Sequence, residues 1–144
     1  MNSDSYKRIH QALKRGYIYS DSGELVNYNQ SCFCAHGNNH WIGCIGGFVC
    51  VALGYEPQEI GDMNFSTVQA KIEEFFGIDN YLAHDLLINN DAGCTNIEAS
   101  NVLRILYQTG VVNWNFAMTN DKISKLIEEN GISIEDLENF LSQP

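Results

Sequence analysis

A chain of 144 residues that is 44% apolar can build one self-sufficient domain without disulfide or metal staples. Its net charge of −10 disfavours direct contact with DNA or RNA phosphates. No apolar run approaches the ~20 residues that span a bilayer, and Met1–Arg8 has no apolar signal core; a cytoplasmic site is expected, the host's if the gene is phage-borne.

The first predicted helix runs from Ser5 to Arg15. Tyr6, Ile9 and Leu13 recur at helical spacing, and Gly16 is a natural stop. Tyr17-Ile18-Tyr19 and Leu25-Val26 flank a Ser/Asp/Gly turn and predict a small hairpin. Residues 27–41, rich in Asn, Gly and His, read as irregular. The nearly all-apolar run Ile42–Leu53 predicts a buried helix ended by Gly54. Glycines 43, 46 and 47 weaken such a helix by roughly 1 kcal/mol each, so they point to close packing or the approach of a ligand or backbone.

Ser66 and Gln69 have the spacing of a capping box before Val68, Ile72, Phe75 and Phe76, with Gly77 as stop. A short helix is expected at 81–86. Thr95 and Glu98 form a second capping box before Ala99, Val102, Ile105 and Leu106, ended by Gly110. Two more helices are expected at about 119–131 and 133–141, as a semi-independent hairpin. The expectation is a mainly α, compact single domain over 1–144, with five to seven helices and a small N-terminal β-hairpin.

Chemistry concentrates at 32–44, where Cys32, Cys34, His36, His40 and Cys44 fall within thirteen residues. Five cysteines in a reducing cytosol are core residues, metal ligands or nucleophiles rather than disulfides. Core is the expectation for Cys50 and Cys94. Cys32, Cys34, His36 and His40 are legitimate zinc ligands. Their spacing is more crowded than the paired knuckles of structural zinc, with no second pair downstream. Otherwise the stretch is a polar surface loop beside half-buried thiols. No other cofactor is suggested.

Cys44 begins the apolar helix, where unpaired N–H groups favour a thiolate. As a nucleophile it needs a base, with His40 first and His36 or His84 as substitutes, and Asp85 or an Asn to orient it. Otherwise Cys44 faces the core. The polar stretch Ile88–Glu98 is a turn leading into a capped helix, or a loop that grips a ligand. Tyr17, Tyr19, Tyr28, Phe33 and Trp41 gather near the hairpin, with Trp114 and Phe116 further on. Exposed aromatics anchor interfaces, although most are expected in the core.

Charge is uneven: residues 1–55 carry +1 and residues 56–144 carry −11. The acidic part suits a basic surface on another protein, or simply solubility. A phosphate-rich ligand is expected only where Lys7, Arg8, Lys14 and Arg15 line its pocket.

Cys44-Ile45-Gly46-Gly47-Phe48, then Asn90-Asp91-Ala92-Gly93-Cys94-Thr95 and the helix from Glu98 to Leu106, together carry a resemblance. Over residues 5–110 the chain resembles a family of small uncharacterised phage and actinobacterial proteins, the DUF6197-like proteins. Asn89 stands where that family has tryptophan, and the 32–40 insert and the tail after 110 depart from its pattern. The resemblance implies a phage or mobile-element setting and no particular activity.

The sequence thus reads first as a non-enzymatic accessory protein, with no complete catalytic set. It would bind a host protein, plausibly in counter-defence, through acidic and aromatic surface, or sequester a small molecule. The expected binding residues are Tyr28, His36, His40, Trp41, Cys44, Asn90 and Asp91. The alternatives are a zinc module at 32–44 and a thiol hydrolase based on Cys44.

Overall fold

The computed structural model describes residues 3–30, 33–37, 40–91, 94–110 and 112. Helix α1 spans Ser3–Arg15, and its stripe of Tyr6, Ile9, Ala12 and Leu13 is buried. Gly16 ends it with φ +92°. The last carbonyls of α1 find a donor far along the chain. Asn96 Nδ2 donates to Leu13 O at 3.0 Å and to Lys14 O at 3.1 Å. Those groups have no partner within the helix, so a remote amide supplies the C-cap.

Strands β1 (Tyr17–Tyr19) and β2 (Leu25–Tyr28) pair antiparallel, as the turn chemistry predicts. They do not stand alone. β3 (Ala35–Gly37) and β4 (His40–Gly43) extend them into a four-stranded sheet of order β1-β2-β4-β3. β2 pairs parallel with β4, and β3 antiparallel with β4. The expected simple hairpin is corrected to this mixed sheet, and the irregular reading of 27–41 to two further strands.

The register assigns the faces. Ile18, Val26, Tyr28, Trp41, Gly43 and His36 share one face through their pairings, and Tyr17, Tyr19, Asn27, His40 and Ile42 take the other. Ile18 and Val26 are fully buried, whereas Tyr17 and Tyr19 are exposed. The sheet therefore has one core side and one wet side.

The apolar run splits where its first residues join the sheet. Ile42 and Gly43 belong to β4, and α2 begins at Ile45 and ends at Ala52. Ile45, Phe48, Val49, Cys50 and Val51 are wholly buried. Each large side chain of this kind contributes roughly 1.5–3 kcal/mol by leaving water. The glycines record a close approach of backbone. A Cβ at Gly47 would sit 1.7 Å from Phe33 O, and one at Gly43 would sit 2.6 Å from the same atom.

Helix α3 (Pro57–Gly61) was not anticipated; α4 spans Phe65–Phe76, α5 Asn80–Asp91 and α6 Asn96–Thr109. The cap of α4 is Asn64, whose Oδ1 accepts from Thr67 N at 2.8 Å, and not the expected Ser66. The Thr95–Glu98 box at α6 is formed as expected. Helix α5 is twice the expected length and takes up residues 88–91. The described residues are thus mostly helical, with the small sheet near the N-terminus. The helices expected at 119–131 and 133–141, and Trp114 and Phe116, lie outside the described residues.

Candidate functional site

Cys44 is the N-cap of α2 and makes no side-chain cap bond to it. The helix takes its cap from another element. Asn90, near the end of α5, accepts from Ile45 N through Oδ1 at 3.0 Å. The other end of that amide donates to Tyr28 Oη at 2.7 Å and to Cys94 Sγ at 2.9 Å. Tyr28 Oη donates to Cys94 O at 3.0 Å and lies 3.2 Å from Cys94 Sγ. One closed network therefore joins β2, the start of α2, the end of α5 and the approach to α6.

The network is dry. Asn90 is 0% exposed, Cys44 1% and Cys94 2%, and the Tyr28 ring packs edge-on against Phe48. Burial raises the Tyr28 phenol above its ordinary pKa, and the contact with Cys94 raises it further, against a smaller lowering by Asn90. Burial also raises the Cys94 thiol, offset in part by hydrogen bonds with Tyr28 and Asn90. Both groups stay protonated near neutral pH, so the tyrosine can donate and the thiol is a weak nucleophile. Cys34, Cys44, Cys50 and Cys94 are reduced and buried.

Two of the expected binding residues, Tyr28 and Asn90, therefore do meet, but they meet inside the protein, and Cys44 precedes the Ile45 N–H that Asn90 caps. Asp91 is the last residue of α5, and its side chain lies outside the described residues. His36 and His40 emerge on opposite faces of the sheet, both exposed. His36 stands edge-on to Trp41 at 4.9 Å between ring centroids. His84 is also exposed and stands edge-on to Phe65. Of the four proposed zinc ligands, Cys32 lies outside the described residues, and Cys34 is buried while the two histidines are not. Among the described residues no three His, Cys, Asp or Glu side chains gather as a metal site. No described helix is long and apolar enough to cross a membrane.

Trp41 belongs to a different place. It walls a cavity of about 330 Å³ together with Ser22, Glu24, Glu56, Pro57 and Gln58. Strand β4 presents the indole at the margin of the sheet's core face, and the first turn of α3 closes the other side. Glu56, the N-cap of α3, is fixed there: its Oε1 accepts from Ser20 Oγ and from Ser22 N, each at 3.2 Å. Its Oε2 is shielded from water and has no hydrogen-bond partner among the described residues. The bonds from Ser22, ahead of Ser20, hold the Glu56 carboxyl below its ordinary pKa, so it is anionic near neutral pH.

Glu24, Glu56 and Pro57 were missed as site residues. The signal was present: Glu56-Pro57-Gln58-Glu59 puts proline at a first helical position with Glu three after the cap, and Glu59 Oε1 accepts from Glu56 N at 3.1 Å.

The chain matches no protein-family model, no curated protein and no solved structure.

Proposed function

We propose that the chain is a non-enzymatic phage or mobile-element protein that binds a host protein and modulates it, in the manner of counter-defence factors. The Trp41 cavity carries this reading: an indole wall faces two carboxylates, Glu24 and Glu56, and Glu56 is held by Ser20 and Ser22. That lining suits a lysine or arginine from a partner. A cation over an indole gains about 0.5–1 kcal/mol when exposed and ~2 when desolvated, and charge-assisted bonds to carboxylate add to it. The acidic field of residues 56–144 speeds encounter with a basic surface. Binding also fits the thiols better than catalysis does, since a nucleophile must be reached and Cys44 is 1% exposed. The phage setting rests on the family resemblance carried by Cys44–Phe48, Asn90-Asp91 and α6.

Capture from host lysates with the parent protein and with Trp41→Ala and Glu56→Gln tests the reading. One specific partner is expected, bound at least tenfold more weakly by both variants. No specific partner across several hosts, or one bound equally by all three proteins, would overturn it.

A further inference from the structure

A second cavity of about 330 Å³ lies between α1 and α6 and shares no residue with the Trp41 site. Its lining is Tyr6, Lys7, His10, Gln11, Arg104 and Tyr107. None of these six is acidic and two are fixed cations, on a chain of net charge −10. Helix α1 supplies Tyr6 and His10 one turn apart, and α6 supplies Arg104 and Tyr107 three residues apart, so each pair lies along one helix face.

The Tyr6 and Tyr107 rings stack, with centroids 3.9 Å apart and planes within 6°. Tyr6 is 5% exposed, whereas Tyr107 keeps 43% of its surface open. Two buried polar atoms at the wall, Tyr6 Oη and Arg104 Nε, have no well-formed hydrogen bond among the described residues, although Arg104 lies within hydrogen-bonding reach of Tyr6. Buried polar groups are nearly always paired in native proteins, so two weakly satisfied polar atoms beside one cavity leave room for an acceptor brought by a ligand. Arg104 is only half-buried and already lines the cavity.

We propose that this cavity binds a nucleoside monophosphate, with the phosphate on Lys7, Arg104 and the Tyr6 hydroxyl and the base against Tyr107. The phosphate oxygens accept while the ammonium, guanidinium and phenol donate, the charge-assisted geometry that arginine favours. The volume falls at the small end of ligand pockets, which run from roughly 300 to 1,000 Å³. Two fixed cations balance the charge of one phosphate group. A di- or triphosphate would bring excess negative charge into an already acidic protein. Arg104 also lies near enough to Tyr6 to oppose, in part, the rise that burial gives its phenol pKa.

Titration calorimetry on the full chain at low salt tests this with adenosine, guanosine, cytidine and uridine monophosphates, the four matching nucleosides and inorganic phosphate. At least one monophosphate is expected to bind one per chain, tenfold or more tightly than phosphate and than its own nucleoside. Lys7 is exposed, so Lys7→Glu should weaken that binding at least tenfold with the melting temperature unchanged. Tyr107→Leu should erase the preference over phosphate, and Trp41→Ala should bind as the parent does. The proposal fails if none of the four monophosphates binds or if phosphate or nucleoside alone binds as well. It fails equally if Lys7→Glu has no effect, or if Trp41→Ala abolishes binding, which would put the ligand in the other cavity.

Discussion

Asn90 occupies one position and satisfies three groups on two elements and a loop, Ile45 N, Tyr28 Oη and Cys94 Sγ. Asn90→Leu keeps the size and removes every bond. It leaves a buried N–H and part of a buried hydroxyl unpaired, at about 1–3 kcal/mol each. A loss of about 3 kcal/mol is expected in urea unfolding; a loss below ~1 kcal/mol would mean that water takes over the role. Gly47 presents the steric counterpart. Its added Cβ meets backbone, which cannot swing aside, so Gly47→Ala should cost more than about 3 kcal/mol or prevent folding. At Gly46 the nearest atoms are side-chain ends of Val68, Leu87 and Phe33, and Gly46→Ala should be the milder change in the same melting assay. Tyr28, Cys44 and Asn90 were legible as chemistry-bearing residues but not as one another's partners. Polar side chains next to apolar runs look alike whether they serve a ligand or each other, and Asn90 and Tyr28 stand 62 residues apart. The glycines were read more fully, because demand for close approach is visible in a glycine-punctuated apolar run, although the approaching Phe33 backbone is not.

Helices whose signals are local were legible as elements. The Thr95–Glu98 box, the apolar face of α4 and the stop at Gly77 all follow from contiguous residues. Where two caps compete, packing decides. Starting α4 at Phe65 brings that ring against Phe33 at 6.0 Å and His84 at 5.6 Å, and Asn64 then caps in place of Ser66. Asn64→Ala should cost ~1 kcal/mol in thermal unfolding, against little for exposed Ser66→Ala; equal costs would restore Ser66 as the cap. Strands β3 and β4 were not legible. They are three and four residues long, and β2 joins β4 in parallel, a pairing without a turn signature. In so short a strand, the Asn, Gly and His content outweighs a two-residue alternation.

At the scale of the molecule, the sum of local helix signals carried the helical class, while the sites depended on contacts between distant segments. The buried thiols and phenol give the whole fold a pH dependence. Burial, offset slightly by Lys71, pushes the Cys50 thiol up to about 11, and Cys94 and Tyr28 are raised as well. The folded state thus holds protons that the unfolded chain releases at the ordinary thiol value of 9.0. Their contribution to stability is complete below about pH 9 and declines as pH rises towards 11. Urea midpoints measured from pH 8 to 11 should fall along that course, and a flat profile would mean that these thiols are not shut off from water.

Asn96 closes the end of α1 from 83 residues downstream of Leu13. During synthesis the first helix leaves the ribosome long before the segment that completes it. Helix α1 packs against α2 as well as α6, so its stripe of Tyr6, Ile9, Ala12 and Leu13 is only partly covered until α6 is made. Messages truncated before Asn96, which leave the end of α1 uncapped and its α6 side bare, should yield products that are degraded rather than shortened but folded proteins.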